Sequence, residues 1–487
     1  MRQRQKGGER IFFFYPFPLL DNLIAKSSKV RKSTQPLPCS RGAVTKKSCV
    51  TVMNTRKVYI ETYGCQMNLA DTELLVGLLK PHGYEPTKTA QTADVILLNT
   101  CAIREHAEER VLGRLGELVH HKARHPGVRL GLTGCMAQHH RDRLLDKAPY
   151  LDLVVGPDAY RTLPALLAQD DKDEPLVSVR LDRDETYADI TPVRGEGIRA
   201  WVTVMRGCDK FCTFCIVPYV RGRERSVPLT ALLDQVRVLA DQGYKEVVYL
   251  GQTVNAYCDG EYNFADLLRR TAKIDEIERI RFTSPHPADM SEHVIEVMAT
   301  CTKIAPYLHL PLQSGSNKIL ERMERGYTVE YYAALVERLR SAIPGLALST
   351  DIIVGFPGEE GADFQATYDF VAAVRYDSAF MFKYSAREGT KAYKWNETLS
   401  EDEKGQRLQT IITLQERISA EINRQTIGQT MEVLVEGPAK RPEGWLSGKT
   451  RQFKTAVFPG AGAQPGDLVS VRVASTTAHT LIGEVSA

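Results

Sequence analysis

Six of the ten cysteines fall into two groups whose spacing can support inorganic chemistry. Cys208, Cys212 and Cys215 sit within eight residues, in CDKFCTFC. Cys65, Cys101 and Cys135 recur roughly 35 residues apart. Ten cysteines in 487 residues are too sparse for a disulfide scaffold, so metal or redox use in a reducing compartment is the better reading. The pattern CxxxCxxC differs from zinc-knuckle CxxC pairs and from ferredoxin runs. Each trio offers three thiolates and no fourth ligand. A zinc ion or a four-iron cube held this way keeps one position open, which suits chemistry rather than structural closure. A cube with a free iron at 208–215 can chelate the amino and carboxylate groups of S-adenosylmethionine. An electron passed from the cube can then break the sulfonium bond homolytically.

The flanking elements must bring these thiols together. Lys57–Gly64 alternates like a strand, and Ala93–Thr100 reads as a buried one. Further strands are predicted over Arg129–Gly134 and Leu151–Gly156. A helix follows the first strand, with Asn68 expected as its N-cap and Asp71 in its first turn. Strand–helix alternation implies a parallel sheet with right-handed crossovers. Cys65, Cys101 and Cys135 each follow a predicted strand, so the sheet would gather them at one edge, where ligands bind. The plainer reading of any one of them is a small buried loop residue.

Residues 198–425 repeat the alternation. Strands are expected at 200–207, 246–252, 279–284, 307–314, 347–355 and 378–385. Helices are expected near 229–242, 263–273, 291–300, 328–342, 361–375 and 400–425. Six such units imply a partial barrel with its site at the strand carboxyl ends, and Cys208–Cys215 follows the first strand. After about 428 the pattern changes to short strands at Met431–Glu436, around Trp445, at Thr455–Phe458 and at Leu468–Val473. There Lys440, Arg441, Lys449, Arg451 and Lys454 outnumber the single acid Glu443. Interleaved with Trp445 and Phe453, these cations suit phosphate contact and base stacking, or simply a solvated charged face. Arg221, Arg223 and Arg225 either extend that track or order the cluster loop.

Charge and hydropathy bound the remaining classes. At 43% hydrophobic and 25% charged, the chain is an ordinary globular one. No run approaches the ~18 apolar residues of a membrane span. The net charge of +3 is uneven: residues 1–57 hold 13 Lys/Arg against 2 Asp/Glu. The remainder is mildly acidic. Residues 1–52 read as a disordered basic tail, or as translated sequence upstream of a start at Met53. Pro16 and Pro18 break their apolar run and argue against a secretory signal. Cys39 and Cys49 receive no role.

CDKFCTFCIVPYVRGRERS resembles the cluster loop of the radical S-adenosylmethionine superfamily. With TYGCQMN, LNTCAIRE and LTGCMAQ upstream, the chain resembles the methylthiotransferase family. YLGQTVNAY, RFTSPHP, HLPLQSGS, STDIIVGFPGE and YSAREGT are similar to further stretches of that family, so the likeness covers about 57–425. YLGQTVNAY and VPYVRGRE resemble most the branch that acts on isopentenylated adenosine in tRNA. Ala386 and Lys391 stand where the family more often has prolines, which touches only a loop shape. GWLSGKTRQFKTAVF resembles the core of a TRAM domain, an OB-like β-barrel.

The resemblance implies an α/β fold of three parts. A Rossmann-like parallel domain would span 57–170, a partial (β/α)6 radical barrel 196–425, and the TRAM barrel 428–487. It implies two [4Fe–4S] clusters, one on Cys65, Cys101 and Cys135 and one on Cys208, Cys212 and Cys215. Phe214, Gly251 and Gln252 would meet S-adenosylmethionine, while Gln313, Ser314 and Gly355 would lie near the nucleoside. The implied reaction is radical transfer of a methylthio group to carbon 2 of N6-isopentenyladenosine at position 37 of tRNA, with no side-chain acid or base. Lys440, Arg441, Lys449, Arg451 and Lys454 would contact the anticodon stem-loop. A flavodoxin or ferredoxin would supply electrons to a cytoplasmic monomer that meets no membrane. Sibling substrates stay open at this point: threonylcarbamoyl-adenosine in tRNA, or a ribosomal protein. So do an iron–sulfur electron carrier and a zinc-bound RNA-binding module without catalysis.

Overall fold

The computed structural model describes residues 55–102, 105–169, 174–195, 197–460 and 462–486. The expectations for 1–52 lie outside these residues. Side chains are described for all of them except 105–107.

The first domain is built on a six-stranded sheet, all of it parallel. Its centre is Arg56–Thr62, Val95–Thr100 and Arg129–Gly134, three adjacent strands. Val95–Leu98 is buried throughout, because helices cover both faces of a parallel sheet. Two strands were not predicted: Tyr84–Pro86 forms one edge and Leu176–Ser178 the other, carrying the sheet past residue 170. The helix Gln66–Leu79 starts earlier than predicted. Cys65, not Asn68, is its N-cap, and both Asn68 and Asp71 are buried. The linker at Thr191 crosses this helix at Gly77, where a Cβ would stand 2.3 Å from the Thr191 carbonyl oxygen.

The second domain places six parallel strands in chain order. Arg199–Thr203, Glu246–Leu250 and Arg279–Phe282 pair in parallel, as do Tyr307–His309, Ala347–Val354 and Ser378–Lys383. A parallel bridge between Ile280 and Ile304 joins the two sets. The result is a curved parallel sheet with helices outside, among them Leu229–Asp241, Val329–Ala342 and Glu401–Arg424. Side chains from those helices and the outer strand faces form the largest apolar core.

The third domain is a closed five-stranded barrel. Thr430–Pro438, Trp445–Thr450, Thr455–Pro459, Thr480–Val485 and Leu468–Thr476 pair in that order around it. The last strand in sequence, Thr480–Val485, was not predicted. Val433, Phe458, Val471 and Leu481 fill the interior.

This barrel seats against the amino-terminal ends of the second domain's strands. Arg279, with no exposed surface, meets Glu432 Oε1 at 2.6 Å and the Lys449 carbonyl at 2.7 Å. Arg281 donates to Glu246 at 2.9 Å and to the Thr450 and Arg451 carbonyls at 2.8 Å. Burial pushes the Glu246 carboxyl up, yet Arg199 and Arg281 outweigh it and hold the group at about 2. Phe453 is the wedge in this joint. Its ring lies 5.0 Å from Tyr307 and 4.9 Å from the Arg281 guanidinium. The base-stacking role expected for Phe453 is therefore replaced by interdomain packing. Phe453→Ala loosens the joint by about 2 kcal/mol, from lost burial and cation–π contact. The expected result is faster release of the C-terminal barrel in limited proteolysis.

Candidate active site

Cys65, Cys101 and Cys135 lie at the carboxyl ends of three neighbouring strands. Cys101 and Cys135 directly follow theirs, and Cys65 caps the helix after the first. The turn at Gly64 presses against Cys101, whose Cβ would be 2.6 Å from a Cβ added there. Asn68 accepts from Cys65 Sγ at 3.4 Å, and Asn99 Nδ2 donates to the Asn68 carbonyl at 2.8 Å. These amides lock two of the three cysteine turns together. A hydrogen bond from Cys101, helped by Arg221 and the Asn68 and Met67 amides, draws the Cys65 thiol down to about 6 against its burial. Burial pushes Cys135 up in spite of Arg221.

The loop 208–215 opens on a strained turn. Gly207 has φ +79, and a Cβ there would come within 1.9 Å of the Arg223 carbonyl oxygen. The Cys208 amide donates to the Gly222 carbonyl at 3.1 Å, closing the loop on itself. Its far end is tied by Thr213, whose hydroxyl donates to the Arg322 carbonyl at 2.8 Å. Two thiols have hydrogen-bond partners: Cys208 Sγ with Thr253 Oγ1 at 3.1 Å, and Cys212 Sγ with Arg325 Nη1 at 3.2 Å. Burial pushes the Cys215 thiol up to about 12 and raises Cys208 as well.

The two trios face each other across the seam between the domains. Ile216 and Val220, from the turn after Cys215, pack on Ala102 and Cys135. Arg221 Nε donates to Cys135 Sγ at 3.1 Å. The same guanidinium meets Asp71 Oδ2 at 2.8 Å, and Arg206 meets Asp71 Oδ1 at 2.8 Å. Burial pushes the Asp71 carboxyl up, but Arg221 and Arg206 prevail and hold it below its usual range. Arg225 makes a second buried pair, 2.8 Å from Asp158. Of the three loop arginines, Arg221 and Arg225 thus join the domains, and Arg223 pairs with Asp209 at 2.8 Å on the surface.

Among the described residues, neither trio gathers its three sulfurs within 4.8 Å of one another. A single zinc, at about 2.3 Å from each sulfur, needs them about 3.8 Å apart. A cube spreads its thiolates over separate corners, so the wider spacing fits a cluster better than one ion.

The other predicted site residues divide. Phe214 packs edge-on to Phe356, 6.2 Å between ring centres, beside the loop. Gly251 leaves no room for a side chain: a Cβ would be 2.7 Å from Met205 Cγ. Among the described residues, Gln252 Oε1 and Gln313 Oε1 are buried without a hydrogen-bond partner, and Gln313 has φ +71. These two amides are free to meet a ligand. Ser314 instead bonds Thr367 Oγ1 at 3.3 Å, and Gly355 lies against the Lys404 stem. Both serve the fold at these positions. Lys440 and Arg441 are exposed. Lys449 is buried, bonded to Thr455 Oγ1 at 2.7 Å, and burial lowers its amine to about 8. Arg451 donates to the Ile304 carbonyl at 3.3 Å, and Lys454 meets Asp377 at 2.6 Å. These three cations face the second domain. Sequence reasoning missed Asp71, Thr253 and Arg325 as partners of the site. Thr253 and Arg325 come from parts of the chain far from the thiols they meet, and Asp71 shows its role only through arginines of the next domain. Sequence reasoning also gave no role to His286, whose buried Nε2 has no partner among the described residues, although RFTSPHP had marked the stretch.

Two outcomes follow from this geometry. Asp71→Asn leaves Arg206 and Arg221 buried without their counter-charge and costs about 3–5 kcal/mol. A lower denaturation midpoint of the first domain is the readout. The Asp71 pair is held in full above the ordinary carboxylate range near pH 3.9 and is lost only as pH falls below it. In cluster-free protein at pH 7, iodoacetamide labels Cys65 ahead of Cys215, and Cys65 labelling fades below about pH 6. Peptide mass mapping across pH reads that order.

Sequence patterns of known families match all three parts. The uncharacterized protein family UPF0004 matches residues 57–156, the radical SAM superfamily 202–371, and the TRAM domain 424–486. The tRNA-2-methylthio-N(6)-dimethylallyladenosine synthase of Chloroherpeton thalassium is 46% identical over 430 residues, 88% of this chain and 95% of that one. The enzyme of the same name from Carboxydothermus hydrogenoformans is 46% identical over 427 residues, 86% of this chain and 97% of that one. Among solved structures, the radical S-adenosylmethionine methyltransferase TsrM from Kitasatospora setae, with cobalamin and a [4Fe-4S] cluster bound, aligns at TM-score 0.55 and 15% identity. It covers 70% of this chain and 77% of that one. The cobalamin-dependent S-adenosylmethionine radical enzyme OxsB aligns at TM-score 0.50 and 15% identity, over 74% of this chain and 56% of that longer one. These two likenesses concern the fold alone. With 46% identity across nearly the whole length of named relatives, the chain belongs to the family of tRNA-2-methylthio-N(6)-dimethylallyladenosine synthases, radical S-adenosylmethionine enzymes with a TRAM domain.

Proposed function

We propose that this chain adds a methylthio group to carbon 2 of N6-dimethylallyladenosine at position 37 of tRNA, using two [4Fe–4S] clusters and S-adenosylmethionine. One observation carries the reading: Arg221, from the cluster loop of one trio, donates to Cys135 of the other. Two open-sided thiol sets placed across one seam suit a division of labour. A cluster held by Cys208, Cys212 and Cys215 would supply one-electron cleavage of the sulfonium, and one held by Cys65, Cys101 and Cys135 would supply the sulfur to be transferred. An aromatic C–H bond has no useful acidity, so a side-chain base does not serve, and a cofactor must.

The chain's own residues hold and tune. Thr253, Arg325 and Arg221 place hydrogen bonds on Cys208, Cys212 and Cys135, which fix the thiolates and moderate their charge. Gln252 and Gln313 offer unpaired amide oxygens to S-adenosylmethionine or the nucleoside. Lys440 and Arg441 remain available to phosphate. The target base must unstack from the anticodon loop to enter. No described helix is long and apolar enough to cross a membrane. The reading places a monomer in the cytoplasm, with a flavodoxin or ferredoxin as electron source.

Anaerobic turnover with isopentenylated tRNA, scored by nucleoside mass, tests it. Cys65→Ala abolishes methylthiolation but leaves some S-adenosylmethionine cleavage, whereas Cys212→Ala abolishes both. Equal loss of both activities in the two variants contradicts the division of labour. Unchanged methylthio-adenosine in tRNA from a deletion strain removes the substrate. An iron content near four per chain, rather than near eight, removes the second cluster.

A further inference from the structure

Four residues beyond Cys135 stand two adjacent histidines that the proposed reaction does not use. His139 and His140 end the helix Cys135–His140, and Glu108 faces them from the long helix Glu105–Arg124. His140 Nε2 lies 3.1 Å from Glu108 Oε2. The two imidazole rings are 4.7 Å apart and tilted by 45°. One ligating atom from each of the three residues falls within 4.8 Å of the other two.

The hydrogen bonds fix the state of His139. Its Nε2 lies 2.9 Å from the Glu388 carbonyl oxygen, which can only accept. Nε2 therefore carries the ring proton, and Nδ1 is a bare lone pair. That Nδ1 is buried with no partner among the described residues, and so is Glu108 Oε1. A buried polar atom without a partner is costly. Two of them around one point mark a place built for something else. A neutral imidazole whose N–H is held by a backbone carbonyl is the form in which histidine ligates metal.

We infer that Glu108, His139 and His140 bind one divalent transition-metal ion, of the zinc or ferrous class, at a site separate from both cysteine trios. Two imidazoles and a carboxylate are the donor set such borderline ions take. Donors at about 2.0–2.1 Å from an ion stand about 3.0–3.4 Å from one another. His140 and Glu108 already have that spacing, at 3.1 Å. His139, with a ligand atom within 4.8 Å of the other two, is the third donor. Three protein ligands leave a position for water. The ion ties the helix that begins at Cys135 to the long helix of the first domain. Through the Glu388 bond it also reaches the loop 384–390 of the second. This inference does not rest on the methylthiolation reading.

Zn2+ is the probe. Untagged protein with its clusters reconstituted, so that the cysteines are occupied, is equilibrated with Zn2+ and analysed for zinc and iron. One zinc per chain beyond the cluster iron is expected. His139→Ala and Glu108→Gln should each weaken zinc binding by more than tenfold, since even outer partners of a metal site are worth about 10–100-fold. Iron content and the circular dichroism spectrum should be unchanged. Co2+ in place of zinc should give visible ligand-field absorption that His139→Ala removes. If a variant loses its iron or its helical signal, His139→Gln and Glu108→Asp take its place. Failure of the holoprotein to bind zinc overturns the site, as does zinc binding undiminished in folded variants of His139 and Glu108. Zinc that binds only when the cysteines are empty assigns it to the trios and equally overturns the inference.

Discussion

The carboxylate of Asp71 has no exposed surface, and two guanidinium groups from the next domain share it. Such a charge survives burial only when both oxygens are well used. Here Oδ1 serves Arg206, while Oδ2 serves Arg221 and the Tyr160 hydroxyl at 3.3 Å. Arg206 immediately precedes Gly207 and Cys208, and Arg221 ends the turn after Cys215. Both ends of the cluster loop are thus pinned to one side chain. That side chain sits on the helix that begins at Cys65. Apolar packing of Ile216 and Val220 on Ala102 and Cys135 closes the seam but has little directional preference. The two charge contacts, one guanidinium to each carboxylate oxygen, supply the register. One buried carboxylate therefore sets where the two thiol groups stand relative to each other.

The opposite end of the second domain repeats the device for another purpose. Arg199, Glu246 and Arg281 form a buried chain of charges at the start of the strands. Arg279 beside them reaches the third domain's Glu432 and Lys449 carbonyl. In a parallel α/β barrel the strand carboxyl ends carry chemistry and the amino ends carry stability. Here the amino end is closed by the small barrel, with Phe453 as its wedge. The carboxyl end is closed by the first domain. Both cysteine trios therefore lie toward the carboxyl end of the second domain, where it meets the first.

Much of this was legible in the sequence, and what was not has definite physical reasons. Val95–Leu98 announces a buried parallel strand because both its faces are covered. The six strands of the second domain alternate with helices long enough to show their period. Cysteines directly after such strands then fall on one edge without further information. The short edge strands Tyr84–Pro86 and Leu176–Ser178 escaped because they carry no buried apolar run, so only pairing to a neighbour makes them strands. Asn68 was read as a cap from its residue type, but its amide is used inside to hold Cys65 and Asn99. Arg221 and Arg325 gave no local sign of touching sulfur, since the fold alone brings them to Cys135 and Cys212. Lys449, Arg451 and Lys454 looked like a surface track because spacing cannot tell which side of a small barrel meets another domain.

That last point bears on how an RNA would be held. A cation contributes to phosphate binding only if it is not already neutralised or satisfied. Lys454 has Asp377, Arg451 has backbone carbonyls, and Lys449 is buried with an amine drawn down to about 8. Of the five cations between 440 and 454, Lys440 and Arg441 remain exposed. For single-stranded contacts each neutralised phosphate adds about 0.7 to the salt slope of binding, so two cations supply about 1.4 where five would supply about 3.5. Such a barrel is a weak electrostatic grip. On the tRNA reading, its main contribution is then positional. Fixed by Arg279, Arg281 and Phe453 to the base of the second domain, it presents its exposed turn at a set distance from the thiols. On that reading the unstacked base would be met by Gln313, whose Oε1 is buried without a partner among the described residues.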